Sequence, residues 1–201
     1  MGGVYALARL AEVSEAHRRA SAEVLNAFIR ERCPWPPKPT RPDETAALEA
    51  ETGRSLRQYD PDVQVAITLL GQQTSQWHHI DRLRFPNLDL RKVTLKDGHF
   101  EDAVFTESHL TGAWMRRAKL SGASFRGATL INANLEGAVL VKCNMRGAAL
   151  DECIINATDF TDAQLDGATM MNAKFDEDTK WPVGFTQDDA ISKGAVLIPK
   201  T

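Results

Sequence analysis

Nucleophilic or metal chemistry in this chain of 201 residues would have to come from three cysteines and five histidines. Cys143 and Cys153 lie ten residues apart in a repetitive segment, and Cys33 lies beside a proline with no base at a recognisable spacing. An odd and sparse set of three cysteines excludes a disulfide framework and a four-cysteine zinc site. We therefore expect Cys143 and Cys153 to be buried and chemically inert thiols.

The histidines do not form a complete metal site either. His78 and His79 are adjacent, but no carboxylate or thiol completes the set at a ligand-like spacing. The chain also lacks the GxxxxGK[ST], GxSxG and HExxH motifs and a GxGxxG motif after a strand. We expect surface or junction positions for the histidines, with no catalytic residue, no metal and no cofactor. The sequence therefore predicts a protein that is not an enzyme; the remaining histidines are His17, His99 and His109.

Composition excludes further classes of protein. The chain has 24 basic and 27 acidic side chains for a net charge of −3, which gives no global footprint for nucleic acid. No run approaches the roughly 20 apolar residues of a bilayer span, and the N-terminus lacks the pattern of a signal peptide. We expect a soluble, cytoplasmic protein with no nucleic-acid partner and no direct membrane contact in this chain.

The elements that must position these side chains are set by a period of five residues. Every fifth residue from 85 to 175 is large and apolar, without a break in register. This period fits neither a helix nor a strand. The residue two positions earlier is small throughout the segment beyond residue 100, and it is most often alanine. The large positions are Phe85, Leu90, Leu95, Phe100, Phe105, Leu110, Met115, Leu120, Phe125, Leu130, Leu135, Leu140, Met145, Leu150, Ile155, Phe160, Leu165, Met170 and Phe175.

The units AKLSG, ASFRG, ATLIN, ANLEG and AQLDG resemble the signature of the pentapeptide-repeat family. The resemblance covers residues 83–177 and implies a mainly β solenoid, a right-handed quadrilateral parallel β-helix with 20 residues per coil. One five-residue unit cannot bury its large side chain alone, so stacked coils must supply the core. The glycines close six of the units, where we expect turns of the coil.

The segment before the repeats has a helical pattern. Residues 3–32 carry two apolar stripes, Val4, Leu7, Leu10 and Ala11, then Val24, Leu25, Phe28 and Ile29, with Ser14 between them as an N-cap. Residues 33–42 hold five prolines and predict an extended linker. Further helices are expected at 43–51 and from Asp60 to Gly71.

The stretches GGVYALARLAEVS, VLNAFIRER and PDVQVAITLLG resemble the helical region that precedes the repeats in a large bacterial group of this family. In many of its members, transmembrane helices lie upstream of the GGxYAL motif, which raises the hypothesis of a longer, membrane-tethered natural form. We expect a helical N-terminal region at 1–79, a β-helix at 80–177 and a C-terminal cap at 178–201. The helical region would cover the first coil, and Trp181, Phe185 and residues 195–198 would cover the last.

Function is expected to depend on the outward side chains of the column. We predict a non-catalytic scaffold that binds a protein partner, with self-association as a further possibility. Burial of some of these side chains under the N-terminal helices is the competing interpretation. The candidate interaction surface comprises six apolar residues, Trp114, Ile154, Ile131, Met171, Val139 and Val141.

The alternative function is a DNA-mimicking binder of type II topoisomerase, a role the resemblance implies for some members. Residues 127–178 carry three basic and nine acidic side chains, a net of −6. However, the acids scatter over all four expected faces of the coil. Four pairs of opposite charge also lie one coil apart, Asp97 with Arg117, Arg116 with Glu136, Lys142 with Asp162 and Arg146 with Asp166.

Overall fold

The computed structural model describes residues 2–13, 15–35, 61–73 and 82–199. Helix α1 spans Gly2–Val13, α2 spans Glu15–Arg32 and α3 spans Pro61–Gln73, which confirms the helices predicted in these three places. The predicted Ser14 cap, the helix at 43–51 and residues 36–42 of the linker lie outside the described residues. In the described part of the chain, no helix combines the length and the apolar character that crossing a membrane requires.

Residues 82–175 form the predicted right-handed quadrilateral β-helix. One residue in each unit, which we call the rung residue, lies just before the large apolar residue and bridges in parallel to the residue 20 positions later. Backbone N–H groups donate from coil to coil, for example Val104 to the Leu83 carbonyl at 2.8 Å and Phe105 to the Ser124 carbonyl at 2.7 Å. We name the four faces after their first rung residues, which are Arg84, Asp89, Thr94 and His99.

The large residue of every unit lies in a linear core inside the coils. All 19 of these side chains are buried. Rings 20 positions apart stack, with centroids 5.2 Å apart for Phe85 and Phe105 and 5.0 Å apart for Phe105 and Phe125. The small residues at positions such as Ala128 and Ala133 are buried too, because the chain turns inward there without room for a longer side chain.

A tight turn joins each unit to the next. The residue two positions after the large one has a positive φ at all 18 positions from Asn87 to Asn172, and six of these residues are glycine. The N–H three positions after a large residue donates back to its carbonyl, as from Val93 to Leu90 at 3.1 Å. This is the pattern of a type II turn, which favours glycine at that position. The predicted role of the repeat glycines is therefore confirmed.

The helical region covers the first coil by pairing with the backbone of all four faces. With its amide nitrogen turned toward Arg84, Asn26 donates to the Arg84 carbonyl at 3.0 Å and accepts from its N–H at 3.1 Å. Gln64 donates to the Thr94 carbonyl at 2.9 Å and accepts from its N–H at 3.0 Å. The backbone completes the set, because Asp89 N–H donates to the Cys33 carbonyl at 2.8 Å and His99 N–H to Gly71 at 2.9 Å. These bonds close an edge that would otherwise invite pairing with other chains.

The apolar stripes of the helices are narrower than the sequence predicted. Ala22, Leu25 and Ile29 are buried on one side of α2, which contacts both α1 and α3. Val24 lies off that side and is exposed, and Leu10 of α1 is exposed as well. Both residues belong to the predicted apolar stripes. Val24 lies about 100° around the helix from Leu25, so its side chain does not reach the contact.

The last coil continues beyond Phe175, where the sequence register ends. Asp176 is an inserted residue, after which Thr179, Lys180 and Trp181 take the positions of one more unit. Lys180 bridges to Asp159, and the Trp181 ring stacks on Phe160 with centroids 5.6 Å apart. Strand β1 (Lys174–Phe175) then pairs in parallel with β2 (Val196–Leu197), which follows helix α4 (Gln187–Ser192). The tail expected to cover the last coil therefore contacts it.

Candidate interaction surface

The two cysteines of the column are structural. Cys143 and Cys153 are fully buried, and their thiols donate to the carbonyls of Leu120 at 2.8 Å and Leu130 at 3.0 Å. Burial raises the pKa of both thiols to about 12, so the nucleophilic thiolate is disfavoured at neutral pH. Thr158 makes the same kind of bond to Leu135. A donor at the small position thus contacts the carbonyl of a large residue in the preceding coil.

The described histidines lie apart from one another along the chain. His17 is exposed on α2, His99 Nδ1 lies 3.2 Å from Glu101 Oε1 on the column, and His109 Nε2 lies 2.9 Å from Thr111 Oγ1. His78 and His79 fall outside the described residues. Within residues 2–13, 15–35, 61–73 and 82–199, no group of histidine, cysteine and acidic side chains is arranged to hold a metal ion.

Trp114 is the large aromatic side chain that the column presents outward. It is a rung residue of the Thr94 face, and its side chain is 53% exposed. Its N–H donates to the Val93 carbonyl at 2.7 Å, and its own carbonyl accepts from Leu95 at 2.8 Å. On the other side it bridges to Asn134. The rung is therefore fixed between two neighbours while its indole remains accessible.

Charged side chains lie along the Thr94 face beside Trp114. Arg116 pairs with Glu136 at 2.8 Å and Arg117 with Asp97 at 2.6 Å, each across one coil. The guanidinium of Arg117 holds the pKa of Asp97 below its usual range. These pairs are exposed, so each contributes little to the stability of the fold.

The six predicted residues do not converge on one patch. Trp114 and Ile154 line up on the Thr94 face with Asn134 between them, as predicted, but Ile154 is half-buried. Val139 and Val141 lie on and beside the His99 face and are half-buried. Ile131 and Met171 follow the Asp89 face, and Met171 is 56% exposed at the far end of the column. Trp114 and Met171 are thus the two members with extensive exposure.

Three of the four predicted pairs across the coils are present. Besides the two pairs beside Trp114, Arg146 pairs with Asp166 at 3.0 Å. Lys142 and Asp162, both described, form no ion pair, since a long exposed lysine gains little from being fixed in one geometry. Two pairs that were not predicted also cross the coils, Arg126 with Glu107 at 3.7 Å and Lys180 with Asp159 at 3.0 Å.

Sequence reasoning missed a second group of exposed apolar side chains, at the C-terminal end. Val183 is 94% exposed, and Ile191, Val196 and Leu197 are exposed as well. The tail has no repeat, so its sequence carries no signal for which side chains point outward. The amides of Asn26 and Gln64 were also missed, because nothing in a helical pattern marks one amide as the partner of a distant backbone.

Comparison with known proteins identifies the repeat. Residues 87–122 and 118–156 match the family model described as pentapeptide repeats, in eight copies. No curated protein matches the chain significantly. Among solved structures, one similar protein is a pentapeptide repeat protein from the Arabidopsis thaliana thylakoid lumen, with 24% identity over 52% of this chain and 72% of that one and a TM-score of 0.40.

Two further solved structures are similar to part of this chain. Rfr23 from the cyanobacterium Cyanothece 51142 is 28% identical over 44% of this chain and 64% of its own, with a TM-score of 0.31. QnrB1, a plasmid-mediated fluoroquinolone resistance protein, is 19% identical over 59% of this chain and 64% of its own, with a TM-score of 0.37.

Proposed function

Because this chain is a pentapeptide-repeat protein, we propose that it is a non-catalytic scaffold that binds another protein through one side of its column. The observation that supports this proposal is Trp114, an indole 53% exposed on a rung that is hydrogen-bonded to a neighbouring coil. A rigid backbone keeps the cost of ordering the surface low when a partner binds. Tryptophan is also among the residues that contribute most binding energy at protein interfaces.

The Thr94 face offers more than one contact to such a partner. Ile154 lies two coils from Trp114 on the same face, at about twice the usual strand spacing, or roughly 10 Å. Arg116 and Arg117 follow Trp114 closely in the sequence and are each held by a carboxylate. An aromatic centre with a polar, ordered rim is the usual anatomy of an interface between proteins.

The test compares Trp114→Asp with the wild type in affinity capture of partners, with Val183→Asp as the matched control on an exposed valine at the other end of the column. We expect partners captured by the wild type and by Val183→Asp to be lost from Trp114→Asp. All three proteins should unfold at the same urea concentration. Identical partner sets for Trp114→Asp and wild type would remove this surface from consideration.

The topoisomerase-binding alternative depends on the acid excess in residues 127–178. The acids there lie on all four faces, for example Glu136 on the Thr94 face, Asp159 on the His99 face and Asp166 beside the Arg84 face. Duplex DNA instead presents closely spaced rows of phosphate charge. Unchanged supercoiling by DNA gyrase in a large excess of this protein, with no complex on a sizing column, would exclude the alternative. A bacterial source, a cytoplasmic location and self-association stay predictions.

A further inference from the structure

The segment that follows α2 is bonded to the Asp89 face. Residues 33–35 run antiparallel to residues 87–89, with a bridge between Pro34 and Leu88. Trp35 N–H donates to the Asn87 carbonyl at 2.7 Å, and Asp89 N–H donates to Cys33 at 2.8 Å. This short strand closes the Asp89 face at the first coil and connects α2 to the column.

A cluster of side chains surrounds the end of that strand. The Trp35 ring lies against His109 of the second coil, with centroids 4.5 Å apart and planes tilted by 58°. The guanidinium of Arg91 lies 5.7 Å from the Trp35 ring and donates to both Asp89 oxygens at 2.8 and 2.6 Å. The Trp35 indole thus lies beside both the Arg91 guanidinium and the His109 imidazole.

The environment of His109 disfavours a second positive charge. Its Nε2 lies 2.9 Å from Thr111 Oγ1, whereas its Nδ1 is buried and has no hydrogen-bond partner. A protonated imidazole carries a hydrogen on both nitrogens, so the Nδ1–H would be buried without an acceptor. Such a group costs free energy in the folded state.

Two charged groups face His109, Arg91 and Asp89, and both belong to the first coil. Its other neighbours are uncharged: Trp35 of the strand, Thr111 of its own coil and the paired rung residue Thr129 of the next coil. Desolvation, followed by the charge of Arg91, lowers the pKa of His109, while Asp89 opposes the shift. Docking of the strand is therefore fully favoured above the ordinary histidine pKa of about 6.5 and is weakened as the pH falls below it.

We propose that His109 is a pH-sensitive latch for the 33–35 strand: its neutral ring holds Trp35 and this strand against the column, and protonation of the ring releases them. The proposal is independent of the binding surface at Trp114, which lies on the neighbouring face. Release would leave the coils intact, because their hydrogen bonds run between rungs that do not involve residues 33–35.

The full chain labelled with 5-fluorotryptophan tests the latch by fluorine NMR. Trp35→Phe identifies the Trp35 signal among the four tryptophans. We expect that signal to move to the position of a solvent-exposed indole between about pH 7 and pH 5, with a midpoint below about 6.5. The Trp181 signal, from the other end of the column, should not move. A Trp35 signal that stays constant over this range in folded protein would overturn the proposal.

Two variants separate His109 from the other titrating groups. His109→Gln keeps a polar side chain beside Thr111 without a charge, and its Trp35 signal should be independent of pH over the same range. The same acid response in His109→Gln as in the wild type would overturn the proposal. Arg91→Gln removes the neighbouring cation, so it should raise the pKa of His109 measured by histidine NMR. A His109 pKa that is unchanged or lower in Arg91→Gln would contradict the geometry.

Discussion

The amide of Gln64 acts as a substitute for one backbone rung, and its removal should destabilise the junction between helix and column. Its two bonds to Thr94, at 2.9 and 3.0 Å, satisfy both backbone groups of that rung. A net hydrogen bond contributes about 0.5–1.5 kcal/mol, so Gln64→Leu should lower the free energy of unfolding by about 1–3 kcal/mol. Because the bonds are exposed, water can replace them in part, and we expect the lower half of that range.

The measurement is urea unfolding by circular dichroism, combined with hydrogen exchange of the Thr94 amide. A loss of 1–3 kcal/mol corresponds to exchange that is about 5 to 150 times faster at that amide if local opening governs it. Gln72→Leu is the control, since Gln72 is exposed on the same helix and should change stability by no more than about 0.5 kcal/mol. Equal stabilities and equal Thr94 exchange in the two variants would refute the capping argument.

Four further substitutions test the coil itself by the same urea unfolding. Ala157 has φ +52°, so Ala157→Gly should stabilise the protein by about 0.5–1 kcal/mol. Ala149→Gly, at a rung with a negative φ, should destabilise it by a similar amount. If both substitutions changed the free energy of unfolding in the same direction, the turn assignment would be contradicted. Ala133 is fully buried, and Ala133→Leu should cost about 1–3 kcal/mol by overpacking; a neutral result would mean that the interior has room. Trp181 is half-buried and its ring stacks on Phe160, so Trp181→Ala should cost about 2–3 kcal/mol, below the cost at a fully buried site. A loss under about 1 kcal/mol would show that the end of the core does not need the ring.

The column could be predicted from sequence because one physical requirement repeats there. Each unit must bury a large residue, admit a small one and turn, so Phe105, Ala103 and Glu107 occupy equivalent places to Phe125, Ala123 and Gly127 one coil later. The turn occurs even where glycine is absent, as at Glu107, because coil pairing on both sides fixes the backbone against the cost of a positive φ.

The two ends could not be predicted in the same way, because each is built once. The partner of the Thr94 rung depends on how α3 docks, and residues such as Gln64 and Gln72 look equivalent in sequence. At the other end, the inserted Asp176 shifts the large position to Trp181, one residue later than the period requires. Trp181 was predicted to cover the last coil. That it does so as the large residue of one further unit could not be predicted, because this depends on how its ring stacks on Phe160.

At the candidate surface, partner binding and stability should respond to different substitutions, because the Trp114 backbone is fixed while its side chain is exposed. The Trp114 backbone is held by the Val93 carbonyl and the Leu95 N–H, and its side chain is not part of the core. A change of that side chain should therefore alter partner binding while the free energy of unfolding stays within about 0.5 kcal/mol. A change at Ala133, four units further along the chain and inside the column, should lower stability and affect binding only by disturbing the coil. If Trp114→Asp destabilised the protein as much as Ala133→Leu, the indole would be a packing residue, and the scaffold proposal would lose the observation that supports it.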